Sequence, residues 1–449
     1  MSYEKWSLGY WCLKRYILFA DWIINKKTVV TGKKNIPDNT PIVFAANHQN
    51  ALSDPLAILL NTCLQPVWLA RADIFGKSKL INKILKFLKI MPVYRIRDGK
   101  ESLKNNEKTF AESVKILENN SALALFPEAA HSGRRQMLIH KKAIPRIVFL
   151  ANEKSSRDLN INIVPAGIYY SHYWKFNRLV IVNFGTPIPV KDYVELHKEN
   201  PNQAIIELKN RIYKAILPLT INFTSKEHYN EFEKIREIYG NHFLKRKNIK
   251  PSYLNHFQSD QVLAQKLNQL EHSSQEETGK LAGEVNSYDK ILRQHKLRSW
   301  LLEPGRIKTK ALIVNIIFLL AGVPLFVYGS IFNVVPFLLI DSVIRKKVRD
   351  KTFWSTFFFV TGIIVFPVFY LVVFFALIKF LPGIWFKIAY WVSLPLTGKF
   401  AFNWYIILRK FTGQLRLIRI KFLKPDTFNQ ISEIREKLFR RLDNLISIS

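Results

Sequence analysis

Hydrophobic and polar positions divide the chain into three regimes. Up to about residue 190, short apolar runs alternate with segments of helical period. Residues 41–46, 66–71, 122–126, 161–169 and 178–184 read as strands, with helices between most of them. That alternation predicts an α/β sheet domain. Residues 5–25 look helical and rich in Trp and Tyr, with Lys14, Arg15 and Asp21 among them. In residues 77–90, Leu80, Ile81, Ile84, Leu85 and Leu88 share one helical face, and Lys79, Lys83 and Lys86 fall on another. Each of these two helices reads equally as a membrane-interface element or as a helix packed on the sheet with a polar back.

From 188 to about 300 the pattern is polar and helical, and spaced Leu positions predict a helical hairpin over 259–295. The third regime is apolar. Ala311–Ile340 and Phe353–Ile378, with Pro324 and Pro367 inside them, each exceed the roughly 20 residues that cross a bilayer. Ile384–Leu408 is weaker and is broken by Pro395 and Lys399. From about 425 a charged amphipathic helix is expected on the cytosolic face. The implied boundaries are an interfacial helix at 1–24, the α/β domain at 25–220, a helical insertion or linker at 221–304, a membrane region at 305–410 and an amphipathic tail at 411–449.

Charge narrows the choice of partner. The chain of 449 residues carries 67 Lys+Arg against 34 Asp+Glu, a formal charge of +33. So basic a chain expects nucleic acid or an anionic membrane, and the apolar tracts favour the membrane. Cys12 and Cys63 are its two cysteines. They are far apart and lack metal spacing, which argues against a disulfide framework or a zinc site. No convincing cleavable signal is found, because charges interrupt the N-terminal apolar stretch. Gly76-Lys77-Ser78 is not a phosphate loop, since Arg71 stands where its first Gly belongs. Basic residues precede the first apolar tract, separate the first two and follow the third. Under the positive-inside rule every loop therefore favours one side, which membrane-dipping hairpins or proline-broken helices would satisfy.

Candidate chemistry begins at Asn47-His48, where a strand meets a loop, and at Asp54-Pro55, where a helix begins. If the connection folds back, Asp54 can orient His48 as a general base. The plainer reading is a helix-capping Asp54 beside an ordinary loop histidine. Arg95 and Arg97 are two apart after Pro92, so in an extended segment both point to one side, as a phosphate fork or as a salt-bridged surface pair. Glu128 follows Pro127 at the end of a strand. His131, Arg134, Arg135, Lys141 and Lys142 form a basic cluster close by, suited to phosphates or simply solvated.

Four ordered blocks change the weighting: Asn47-His48 to Asp54-Pro55, Ile90 to Asp98, Leu125 to Ser132, and Ile163 to Gly167. In this order, over roughly residues 25–220, the chain resembles the glycerolipid acyltransferases that acylate glycerol-3-phosphate and lysophosphatidate. It departs from them in two places. One more residue than usual separates His48 from Asp54, a step that resembles a subset of glycerol-3-phosphate acyltransferases. Ala129 replaces the usual Gly, which is acceptable unless the backbone there needs positive φ.

The resemblance implies an α/β, mixed-sheet acyltransferase domain with helical additions and a C-terminal helical membrane region. It implies His48 and Asp54 as catalytic residues, with Arg95 on the acceptor's phosphate. Pro127, Glu128, His131, Lys142 and Pro165 are placed around the substrates. The expected reaction moves an acyl group from acyl-CoA or acyl carrier protein to a hydroxyl of glycerol-3-phosphate or lysophosphatidate. It uses no metal or further cofactor, at a membrane and from its cytosolic face. Two alternatives remain: remodelling of another lysophospholipid, and a non-enzymatic membrane tether with a decayed site.

Overall fold

The computed structural model describes residues 2–76, 78–94 and 100–446, and their side chains apart from 100–105. The chain forms two compact units, Met1–Thr220 with Val348–Phe359, and Ile221–Lys347 with Val360–Ser449.

The first unit is built on a mixed sheet. Its elements are α1 (Leu8–Ile24), β1 (Lys27–Thr31), β2 (Ile42–Ala46), α2 (Ser53–Leu60), β3 (Val67–Arg71), α3 (Lys79–Phe87), β4 (Ile90–Val93) and α4 (Lys100–Glu118). They are followed by β5 (Ala122–Leu125), α5 (Ala143–Lys154), β6 (Asn162–Tyr170), β7 (Leu179–Phe184), β8 (Ile188–Pro189), α6 (Val194–Glu199) and α7 (Pro201–Ile216). The strand order is β1-β7-β6-β2-β5-β3-β4, with β8 beside β6. β6 runs antiparallel to β7 and β8, and the other pairings are parallel.

Successive residues of β2 feed opposite faces, as the strand period of two requires. Val43 and Ala45 join the core beneath α5 and α7, whereas Ile42, Phe44 and Ala46 join the core with α2. Both faces are thus covered, and β2 and β6 read as unbroken apolar runs because every residue in them is buried. From β2 the chain crosses through α2 to β3 on one side. From β5, the neighbour of β2, it crosses through α5 to β6 on the other. Adjacent strands whose connections depart in opposite directions leave a crevice at their carboxyl ends, the usual ligand position in such sheets.

The five expected strands are present within a residue or so at each end. β1, β4 and β8 were not anticipated. β1 and β4 are the edge strands, and β4 carries Pro92, which an edge tolerates. α3 buries none of its residues, and Leu80, Ile81 and Ile84 are exposed, so it is not a core-facing helix. On and just before α1, Trp6, Leu8, Trp11, Phe19 and Trp22 are likewise exposed.

The second unit is helical. It contains α8 (Tyr229–Arg246), α9 (Tyr253–Ser273), α10 (Gln275–Gln294), α11 (Thr309–Ala321), α12 (Val323–Lys347), most of α13 (Trp354–Leu377), α14 (Gly383–Leu423) and α15 (Pro425–Leu445). The expected hairpin is α9–α10. The amphipathic helix expected from about 425 is α15, and it packs within the second unit: Ile431, Leu438, Phe439 and Leu442 are buried, and Asp443 accepts hydrogen bonds from Tyr239 and from Arg246.

Two segments, Val323–Lys347 and Lys351–Phe380, are long and apolar enough to cross a bilayer, and little of either is buried. The first apolar tract divides at Gly322, where an added Cβ would lie 2.8 Å from the Trp404 ring, and Pro324 then falls harmlessly in the first turn of α12. The third tract was expected to break at Pro395, but α14 continues through it for 41 residues.

One close approach explains the fourth sequence block. A Cβ added to Gly167 on β6 would stand 2.1 Å from the carbonyl oxygen of Leu219, a backbone atom that cannot swing aside. Gly167→Ala is therefore expected to destabilise the first unit by about 1–3 kcal/mol. A lowered thermal unfolding midpoint of the full chain in detergent would show it, and an unchanged midpoint would refute the packing argument.

Candidate active site

The carboxyl end of β2 is fixed by Asn47. Its side chain is fully buried and imitates a peptide group: Nδ2 donates to the carbonyl of Ile168 at 3.0 Å, and Oδ1 accepts from the Ile168 N–H at 2.7 Å. The chain then turns through 48–52, with Ala51 at positive φ, into α2. Asp54 lies in the first turn of α2, where the helix dipole favours an anion. It is fully buried, and one oxygen collects three donors. Oδ2 accepts from Nδ1 of His48 at 2.9 Å and from the backbone N–H groups of Gln49 and Asn50 at 2.7 Å each.

A carboxylate only accepts, so the shared hydrogen belongs to Nδ1 of His48. The tautomer leaves a lone pair on Nε2, which meets no hydrogen-bond partner among the described residues. The imidazole stacks on Phe126, with ring centroids 4.1 Å apart, and its side chain keeps 16% of its surface open. This is an oriented, reachable base. The folded-back connection reasoned from sequence is therefore present, and the extra residue between His48 and Asp54 does not prevent contact.

Glu128 meets the same turn from β5. It is buried, Oε1 accepting from the His48 N–H at 3.2 Å and Oε2 from the Leu138 N–H at 3.1 Å. Burial pushes its carboxyl up to about 8, against the opposing pull of those two N–H groups. Near neutral pH it thus adds little negative charge beside Asp54. His131 places its ring 5.4 Å from that of His48, edge to face, and burial followed by the nearby His48 lowers its pKa.

Residues 27–169 match the family model described as Acyltransferase. This stretch is an acyltransferase-family domain. Over 130 residues the chain is 29% identical to glycerol-3-phosphate O-acyltransferase 1 of Saccharomyces cerevisiae, covering 28% of this chain and 17% of that protein. It thus spans about a sixth of that relative's length. Over 219 residues it is 20% identical to 1-acyl-sn-glycerol-3-phosphate acyltransferase of Borreliella burgdorferi, covering 48% of this chain and 81% of that one. The crystal structure of the 1-acyl-sn-glycerophosphate acyltransferase of Thermotoga maritima aligns over 46% of this chain and 78% of that one, with 19% identity and a TM-score of 0.33.

Around this centre the acyltransferase domain distributes the remaining candidates unevenly. Pro127 is buried beside Glu128, and its carbonyl accepts from the Lys141 N–H at 2.7 Å. Pro165 is buried within β6 opposite Ala45, and its carbonyl accepts from the Gly185 N–H. Both shape the sheet end and present no polar side chain. Lys142 stands exposed before α5, and no hydrogen bond or ion pair joins it to His48 or His131. Arg135 leaves the expected basic cluster altogether: it is buried and donates to the carbonyls of Tyr170 and Ser171. Arg95 and Arg97 lie outside the described residues.

Sequence reasoning missed a supporting ring. Tyr173 donates its hydroxyl to Gln49 Oε1 at 2.8 Å and accepts at its carbonyl from Asn50 Nδ2. Arg178 is buried, donates to Ser53 Oγ at 3.0 Å, and spreads over the Tyr170 ring. These partners are separated from the first block by more than a hundred residues and have no local signature.

Ala129 answers the question left by the missing Gly. Its φ is +55°, a conformation that costs a residue with a Cβ about 1–2 kcal/mol. Ala129→Gly should therefore raise stability by about 1 kcal/mol, less the entropy Gly adds to the unfolded chain. A higher unfolding midpoint in detergent is the expected result, and an equal or lower one would show the strain to be offset elsewhere.

Proposed function

We propose that the protein transfers a fatty acyl group from an acyl thioester to a hydroxyl of glycerol-3-phosphate or lysophosphatidate. The observation that carries this reading is an imidazole whose Nδ1–H is held by a buried carboxylate and whose Nε2 is open, at the carboxyl ends of β2 and β5. Nε2 of His48 takes the proton as the acceptor hydroxyl attacks the thioester carbonyl. Asp54 stabilises the resulting imidazolium. The tetrahedral centre then collapses, the C–S bond breaks, and the departing sulfur receives the proton from His48. Positioned proton transfer contributes about 10²–10⁴ in rate.

In this reading Arg95 binds the acceptor's phosphate by its guanidinium fork. Glu128 holds the His48 backbone, with Pro127 and Pro165 shaping the floor on which it sits. His131 and Lys142 face the substrates. The donor is acyl-CoA or an acyl carrier protein. The names of the similar proteins support the acceptor class, since they act on glycerol-3-phosphate or its acylated form.

We further place the protein at a membrane. The two long apolar segments anchor it, and the exposed aromatic residues of α1 and the apolar face of α3 rest at the interface. This reading has the active site on the cytosolic face, which the positive-inside rule favours because basic residues flank every apolar tract without fixing how the tracts cross.

The test uses full-length protein in mixed micelles, labelled acyl-CoA, and glycerol-3-phosphate, lysophosphatidate and a second lysophospholipid as acceptors. Transfer to one of the first two is expected, with His48→Ala and Asp54→Ala each losing at least about 10²-fold in kcat while remaining folded. Preference for the second lysophospholipid would make the protein a remodelling enzyme. No transfer to any acceptor would favour a tether, and near-wild-type turnover in either variant would remove the pair from the mechanism.

A further inference from the structure

The connector formed by residues 348–359 runs from the end of α12 through the first turns of α13, where the second long apolar segment begins, yet it belongs to the first compact unit. Their polar side chains meet both sides of the candidate active site. Thr352 donates its hydroxyl hydrogen to Asp350 Oδ1 at 2.7 Å, and its backbone N–H goes to the same oxygen at 2.9 Å. With that hydrogen committed, Thr352 Oγ1 is an acceptor, and Nε2 of His131 lies 3.2 Å from it. His131 therefore carries its hydrogen on Nε2 and keeps Nδ1 as an acceptor. Phe353 closes on the same imidazole edge to face, at 4.6 Å between ring centroids. The methyl of Thr352 packs over Gly133, where an added Cβ would come within 3.0 Å of it.

One turn further, the connector grips the loop between the base and its carboxylate. Ser355, itself buried, donates to Asn50 Oδ1 at 2.5 Å. Thr356 Oγ1 accepts from the Leu52 N–H at 3.1 Å. Asn50 is the residue whose own N–H supports Asp54 Oδ2. Three hydroxyl side chains within five residues thus contact His131, Asn50 and Leu52.

We propose that the connector completes the acyl-transfer site, with Thr352 a positioning residue for His131 and Ser355 and Thr356 positioning residues for the loop that joins His48 to Asp54. This rests on the acyl-transfer reading above for its kinetic consequences, but not for its structural ones. The His131 ring lies edge to face with His48, centroids 5.4 Å apart, so its tautomer and tilt set the polar environment beside the base. A hydrogen-bond chain running Asp350–Thr352–His131 fixes both. Misplacement of such groups by an ångström costs large factors in rate without removing any catalytic atom.

The experiment compares wild type, Thr352→Val, Thr352→Ser and the double variant Ser355→Ala/Thr356→Val, all as full-length protein in mixed micelles. Thr352→Val should lower kcat about tenfold with the KM for the acyl donor within about twofold, and Thr352→Ser should restore kcat, because the serine hydroxyl can repeat both hydrogen bonds. In the double variant, deuterium exchange in a peptide covering residues 49–53 should quicken and kcat should fall. Wild-type kcat in Thr352→Val together with unchanged exchange in the double variant would overturn the inference. A loss of activity in Thr352→Val that Thr352→Ser does not restore would likewise count against a positioning role. Should the wild-type protein transfer no acyl group at all, the functional reading fails on its own, and the exchange measurement still decides whether the connector holds the loop.

Discussion

A single carboxylate oxygen organises the candidate site. Asp54 Oδ2 accepts from the imidazole of His48 and from two successive backbone N–H groups. Three donors on one buried oxygen give the turn a fixed shape and fix the histidine tautomer at the same time. Everything nearby serves that arrangement. Asn47 anchors the end of β2 to β6, Glu128 holds the His48 N–H from β5, and Arg178 and Tyr173 brace Ser53, Gln49 and Asn50 from beyond β6. The sheet supplies the rest. β2 and β5 are neighbours whose connections leave in opposite directions, so the turn stands in a crevice instead of beneath a crossing helix.

What could be read in the sequence follows from sequence distance. His48 and Asp54 are six positions apart, and the strand before and the helix after them are signalled by local pattern, so their meeting was open to inference. The five central strands were visible for the same reason: most of their residues are buried apolar side chains, though β3 ends in an exposed Arg71. The edge strand β1 has half-exposed residues and β4 contains a proline, and neither gives that signal. The bracing residues lie far along the chain from the turn they hold. A tyrosine or an arginine in a loop announces no partner by itself.

The connector shows a different limit. Residues 353–378 read as one apolar tract, and hydropathy averages over its first turn. The hydroxyls of Ser355 and Thr356 were lost in that average, although they reach Asn50 and Leu52. Glu128 shows a third. A carboxylate at a strand's end can hold acceptor hydroxyls or anchor an arginine, whereas here the backbone N–H groups of His48 and Leu138 take one oxygen each. Ala129 was legible only as a condition, whose outcome needed the backbone angle. It stands at positive φ beside the candidate centre, where local strain is commonly retained.

The account makes His48 a base that sends the acceptor hydroxyl directly onto the thioester carbonyl, with no acyl group resting on the protein. Rapid-quench mixing of the full-length protein with a labelled acyl thioester, first without and then with the acceptor, tests this most directly. The predicted result is no acid-stable label on the protein before the acceptor is added, and label in the acylated acceptor afterwards. Label that accumulates on the protein without acceptor and then chases into product would contradict direct transfer and place a covalent nucleophile in the site.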